Sequence, residues 1–193
     1  GAASLAGFNS LTQMCEALEA LTVELHEKPA SINQSTLRTI ASALDSIPSL
    51  MDRKPMFGEE QQSSSNILVV DDESISRRAV TQALDRAKLK SVGVDDPKAA
   101  LQLLSDNTYD LVFLDVEMPG MNGHELCAKL RALPRHKKTP VVFVTSLNDF
   151  QNRANSTMSG GNDFIAKPFP FLELAVKSLV YVLRGKYPVA KAV

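Results

Sequence analysis

The segment Leu111-Val112-Phe113-Leu114-Asp115 constrains this chain more than any other. Four consecutive apolar residues ending in a carboxylate predict a strand buried on both faces. Continuous rather than alternating apolar strands belong to parallel sheets covered on both sides, so the acid is delivered to the C-terminal sheet edge. An Asp at a strand exit is, by itself, an ordinary turn residue. Its company changes that. Three further apolar runs end in polar groups of a related kind: Ile67-Leu68-Val69-Val70 before Asp71-Asp72, Val141-Val142-Phe143-Val144 before Thr145, and Phe164-Ile165-Ala166 before Lys167-Pro168.

From Asn66 onward strands alternate with helices. The pattern predicts strands near 66–71, 90–94, 110–115, 140–145 and 163–166, and helices near 74–88, 97–106, 123–132, 148–158 and 170–184. Ser74, Asp96 and Asn122 stand where helix caps belong, Pro97 suits a first turn, and Gly160-Gly161 suits a helix end. Alternation of this length makes an α/β fold, a doubly wound five-stranded parallel sheet with helices on both faces. In such sheets ligands sit beyond the strand ends, where the strand order reverses. If the order is 2-1-3-4-5, Asp71, Asp72, Asp115, Thr145 and Lys167 converge there, and Asp95-Asp96 at the end of strand two is a turn.

Residues 1–57 predict an α-helical hairpin. Leu11, Met14, Leu18, Leu21 and Leu25 recur at heptad spacing, as do Leu37, Ile40, Leu44, Ile47 and Met51. Asn9 or Ser10 is the expected cap of the first helix, Ser35 or Thr36 that of the second, and Lys28-Pro29 the break between them. Short helices need tertiary packing, so the hairpin is expected to pair with a second copy as a four-helix bundle or to dock on its own globular domain. Residues 58–65 form a Ser- and Gln-rich linker, 66–187 the α/β domain and 188–193 a tail.

With 44% apolar residues and a formal charge of -1, the 193-residue chain has material for a sizeable core and no basic face for nucleic acid. Residues 1–62 hold four Lys/Arg against eight Asp/Glu, and 63–193 seventeen against fourteen. Cys15 and Cys127 have neither metal-ligand nor disulfide-framework spacing and are expected as small buried hydrophobes in a reducing compartment. No apolar run reaches the roughly 20 residues of a membrane helix, so the expected location is the cytoplasm. His26, His124 and His136 are expected to be ordinary, and Arg135-His136-Lys137-Lys138 a solvated loop.

Three carboxylates in one pocket repel by about 4 kcal/mol per pair at 4 Å and an effective dielectric of 20. Such a pocket needs cations. Lys167 supplies one, and oxygen ligands at an open site suit Mg²⁺, which keeps waters and prefers one or two carboxylates plus a phosphate. The set fits in-line phosphoryl transfer: Asp115 attacks, Lys167 and Mg²⁺ hold phosphoryl oxygens, and the Thr145 hydroxyl donates to another.

Ile67-Leu-Val-Val-Asp-Asp-Glu73, Leu111-Val-Phe-Leu-Asp-Val-Glu-Met-Pro-Gly-Met-Asn-Gly123, Pro140-Val-Val-Phe-Val-Thr-Ser146 and Asp163-Phe-Ile-Ala-Lys-Pro-Phe169 resemble the successive signatures of two-component response regulator receiver domains. The likeness covers about 63–187. It implies a flavodoxin-like, chemotaxis-regulator-like receiver fold and phosphorylation of Asp115 by a phosphohistidine on a histidine kinase or phosphotransfer protein. It also implies Mg²⁺ held by Asp72, Asp115 and the backbone carbonyl of Glu117 with Asp71 assisting, a cis peptide before Pro168, and a switch in which Thr145 moves and Phe164 turns inward. Gly161 departs from the family's usual Ala, and Glu117 and Leu147 occupy positions that tune phosphoryl loss.

The resulting expectation is a signalling switch rather than a turnover enzyme, with a downstream protein target. A homodimer through the hairpin, or through the face of helix four, strand five and helix five, is the further expectation. It rests partly on the last helix, where Leu174, Val180, Tyr181 and Val182 add apolar surface outside the face of Leu172, Ala175, Val176, Leu179 and Leu183. A terminal receiver fragment of a hybrid histidine kinase is the alternative. An aspartyl-nucleophile phosphatase is remote, because Glu117 stands where the haloacid dehalogenase pattern has its second Asp.

Overall fold

The computed structural model describes residues 3–51, 65–146 and 160–186, with the backbone alone for 3–10 and 186. In chain order the helices are α1 (Ala3–Glu27), α2 (Gln34–Met51), α3 (Ser74–Arg86), α4 (Pro97–Asp106), α5 (Gly123–Ala132) and α6 (Phe171–Lys186). The strands are β1 (Asn66–Val70), β2 (Lys90–Val94), β3 (Leu111–Asp115), β4 (Val141–Ser146) and β5 (Asp163–Lys167). Contacts divide the chain into two units, Ser65–Phe171 and Gly1–Ser64 with Leu172–Val193. The last helix, expected within 66–187, is thus grouped with the hairpin. The expected helix at 148–158, the tail and nearly all of the linker lie outside the described residues.

All five strands are parallel, in the order β2-β1-β3-β4-β5. Every residue of β3 is buried, as its unbroken apolar run predicts. Leu68, Val112, Leu114, Val141 and Phe143 pack with Leu104 of α4 and with Leu126 and Leu130 of α5 in one cluster. Each such side chain contributes roughly 1.5–3 kcal/mol when fully buried. Two predicted caps are present: Asp96 accepts from the amides of Lys98 and Ala99, and Asn122 forms a reciprocal capping box with Glu125. Ser74 is no cap; it lies inside α3, and Glu73 precedes it without a side-chain cap bond.

In the other unit, Met14, Leu18, Leu21 and Leu25 of α1 are buried as the heptad requires. Helix α1 begins at Ala3, so Asn9 and Ser10 lie within it rather than capping it. Asn33 caps α2 in place of Ser35 or Thr36: its Oδ1 accepts from both of their amides, at 2.7 and 3.1 Å, and its own amide donates to Thr36 Oγ1.

The apolar heptad of α2 does not face inward. Leu37, Leu44 and Met51 are 56, 52 and 66% exposed, whereas Ser35, Thr36, Thr39, Ala43, Ser46 and Leu50 are buried. The reason lies in α6, which packs against α2 through charged groups. Glu173 accepts from the hydroxyls of Ser35 and Thr39, and Arg184 donates to Ser46 Oγ and the Ser42 carbonyl, both at 3.0 Å. A buried carboxylate demands donors, so small hydroxylated residues take the interior and the leucines are turned out. Docking within the same chain therefore occupies one face of the hairpin.

Most of the surplus apolar surface expected on α6 is not exposed either: Leu174, Val180 and Val182 are 0, 1 and 3% accessible, and Tyr181 is half-buried. Cys127 is buried but Cys15 is exposed, because Cys15 falls just off the α1 seam. Among the described residues no helix is long and apolar enough to cross a membrane.

Candidate functional site

Parallel register builds the site. Val70 pairs with Leu114, and Asp115 pairs with Val144, so Asp71 and Asp115 leave adjacent strands at the same level. Thr145 pairs with Ala166 and Ser146 with Lys167, which places Thr145 one residue further out and gives the Lys167 stem the reach to return across the sheet edge. The Lys167 ammonium lies 2.9 Å from Asp115 Oδ1 and 3.1 Å from Asp71 Oδ2. Carboxylate oxygens of Asp71, Asp72 and Asp115 lie within 4.8 Å of one another. Above them opens a cleft of about 290 Å³ lined by Asp72, Glu73, Asp115, Glu117, Thr145, Ser146 and Lys167.

The three acids differ in surroundings. Asp71 is 1% exposed and its oxygens are engaged: Oδ1 accepts from the Glu73 amide, and Oδ2 accepts from the Ser76 hydroxyl at 2.5 Å and from Lys167. Asp72 is exposed. Asp115 is 7% exposed, and burial pushes its carboxyl above the usual carboxylate range, with the Lys167 hydrogen bond and charge opposing and Asp71 and Asp72 reinforcing. For Lys167 burial works against the ammonium, but the hydrogen bond and charge of Asp115, joined by Asp71, prevail and raise its pKa.

Lys167 is followed by a cis peptide to Pro168, as the family likeness implies. Thr145 is buried at the cleft wall. Phe164 is 6% exposed and belongs to the core cluster, so its ring already sits inward. The side chain of Glu117 is exposed at the rim. His26 is exposed at the end of α1 and is no part of the cleft, and Leu147 lies outside the described residues.

Several supporting residues escaped prediction. Ser76 holds Asp71 from the first turn of α3; its one sequence signal is its place five residues after that acid. Arg77 donates to the Asp71 carbonyl at 2.6 Å and pairs with Asp95 at 3.5 Å. A Cβ on Gly123 would stand 2.1 Å from the Asp115 carbonyl oxygen, so only glycine lets α5 start this close to the end of β3. His136, far from ordinary, is fully buried, with Nδ1 3.0 Å from Thr139 Oγ1 and Nε2 2.9 Å from the Leu104 carbonyl. Arg131 ties that turn to the start of β5, donating to the carbonyls of His136, Thr139 and Gly160.

Comparison with known proteins agrees with this geometry. The response regulator receiver domain model matches residues 67–178. The chain is 35% identical over 119 residues to transcriptional regulatory protein SrrA of Staphylococcus aureus, a match that covers 61% of this chain and 48% of that protein. It thus spans about half the length of the curated relatives it matches. Among solved structures, chemotaxis protein CheY4 of Vibrio cholerae superposes with TM-score 0.58 at 27% identity, covering 63% of this chain and all of that one. The receiver domain of sensor histidine kinase PA1611 of Pseudomonas aeruginosa, solved with a magnesium ion in its active site cleft, gives 0.56 at 25% identity, covering 61% and 98%. With the strand order, the acidic cluster and the Lys167 bridge, these matches show that the chain belongs to the response regulator receiver domain family of two-component systems.

Proposed function

We propose that Asp115 accepts a phosphoryl group from a phosphohistidine on a histidine kinase or phosphotransfer protein and that the phosphorylated chain signals to a downstream protein. The observation that carries this is the Lys167 ammonium bridging Asp71 and Asp115 on the floor of an open acidic cleft. An Asp115 oxygen forms the new bond to phosphorus, and the P–N bond breaks with its electron pair returning to the imidazole. Lys167 would face the incoming phosphoryl oxygens, and Thr145, in the cleft wall, would donate from its hydroxyl to one of them. Release of the phosphoryl group to water resets the switch, so the chemistry is self-modification rather than turnover.

The donor set fits Mg²⁺: hard carboxylate oxygens within 4.8 Å of each other at an open site. Asp72, Asp115 and the Glu117 carbonyl would hold the ion, while Asp71, its oxygens engaged by protein donors, supports from beneath. When bound, Mg²⁺ supplies the positive charge that the acids and the phosphoryl oxygens share.

The test is a small-molecule phosphodonor with Mg²⁺ followed by intact mass. The unaltered chain should gain one phosphoryl group and Asp115→Asn none; modification of both would sink the assignment. A second reading rests on the relatives: SrrA is described as a transcriptional regulatory protein, and PA1611 is a sensor histidine kinase. In a longer chain the same receiver would serve transcription or a hybrid kinase. A gel shift with DNA, steeply weakened by salt, would favour the former.

A further inference from the structure

Five of the eight large apolar side chains exposed among the described residues lie in the hairpin: Val23, Ile32, Leu37, Leu44 and Met51. Three of these form a line. Leu37, Leu44 and Met51 recur every seven residues, with Ala41 and Pro48 exposed between them and Ile40 and Ile47 half-buried beside them. The opposite face of α2 is already occupied by its polar seam with α6, so this stripe is what remains for another molecule.

We propose that the stripe is the contact through which two copies of this chain associate, helix α2 against helix α2, antiparallel. Charge selects that occupant. Helix α2 carries only two charged residues, Arg38 and Asp45, both exposed and each one residue beyond a stripe leucine, hence on the same flank. An antiparallel copy that sets Leu37 against the partner's Leu44 brings Arg38 within two residues, about 3 Å along the axis, of the partner's Asp45. Two-fold symmetry makes that pair twice. A parallel copy would carry the two charged flanks to opposite sides of the seam and leave both pairs unmade. In the antiparallel register Ile32, exposed at the hairpin corner, meets the far end of the partner's stripe.

Eighteen residues of helix span about 27 Å. One face of that length falls short of the roughly 2,000 Å² and more that permanent pairs bury, so association depends on concentration. It is independent of the phosphoryl chemistry and stands or falls without it.

The experiment is sedimentation equilibrium of the full chain from about 5 to about 300 µM, without phosphodonor. The expected weight-average mass rises from 21.0 kDa toward twice that value. Leu44→Glu should hold the chain at the monomer mass with unchanged helical circular dichroism, since Leu44 is 52% exposed. Arg38→Asp and Asp45→Arg should each weaken association about tenfold, and the double reversal should restore it. A chain that stays at 21.0 kDa throughout overturns the proposal and leaves the stripe to residues 52–64 or to a different protein. So does a rise in mass that survives Leu44→Glu, or a double reversal weaker than either single change.

Discussion

Replacing Asp115 by Asn should stabilise the metal-free protein at neutral pH, although it removes the group on which function is proposed to depend. Taking 4.8 Å as the widest spacing in the acidic cluster, Asp115 and Asp71 repel by about 3.5 kcal/mol at an effective dielectric of 20. Asp72 adds a smaller amount because it is exposed and screened. Against this, the 2.9 Å contact with Lys167 returns roughly 6 kcal/mol on the same scale. The Coulombic parts nearly cancel, and desolvation, the leading cause of the raised Asp115 pKa, sets the sign. Asn keeps an oxygen to accept from Lys167 and sheds the buried charge, so a gain of about 1–2 kcal/mol is expected, or roughly 2–8 °C in Tm.

The pH dependence follows from the same shift. Asp115 binds its proton more tightly in the folded state, so stability falls as pH rises from the unfolded carboxyl value through the raised folded one. Below that window both forms are protonated and the advantage of Asn vanishes. Thermal melts of both proteins in EDTA across pH 4 to 8 would show it. Adding Mg²⁺ should reverse the ranking, because binding at a hundredfold excess over Kd adds about 2.7 kcal/mol to the protein that holds the ion. An Asn variant that melts lower than the parent in EDTA at pH 7 would refute the electrostatic account of this site.

Lys167→Met should destabilise the metal-free protein by about 2–4 kcal/mol, since it leaves Asp71 and Asp115 buried without their cation; urea melts at pH 7 read it. The Lys167 contribution is full below the unfolded lysine pKa and is lost only as pH rises through the raised folded one. Gly123→Ala should cost about 1–3 kcal/mol or more through overpacking and slow phosphoryl acceptance by shifting the backbone of Asp115, measured by denaturant melts and intact mass. With an alkylating reagent at pH 7.5, Cys15 should react in the folded protein while Cys127, buried and with its thiol pKa raised by that burial, waits for unfolding; equal rates would contradict the packing of α5.

The sheet was legible because its strands are buried on both faces and so declare themselves as unbroken apolar runs; the site was legible because parallel register turns strand ends into neighbours. Residues whose role depends on a partner distant in sequence were not. Leu37, Leu44 and Met51 have the spacing of a buried seam, and nothing local to α2 says that Glu173 and Arg184, more than a hundred residues on, will claim its Ser and Thr face. Arg131 and His136 likewise look like solvated charge until the turn they brace is in place. Ser76 is one serine among several until Asp71 is seen to need a donor. The outward leucines of α2 keep their heptad spacing, which the proposed dimer assigns to a second molecule.

The most direct test of the account is to locate the phosphoryl group chemically. After phosphodonor and Mg²⁺, borohydride reduces an acyl phosphate on Asp to the alcohol, and peptide mass spectrometry reads the position. Reduction is expected at Asp115 alone, abolished in Asp115→Asn and diminished in Lys167→Met. Reduction at Asp71 or Asp72, or a phosphoryl group carried on His26 in its place, would contradict it.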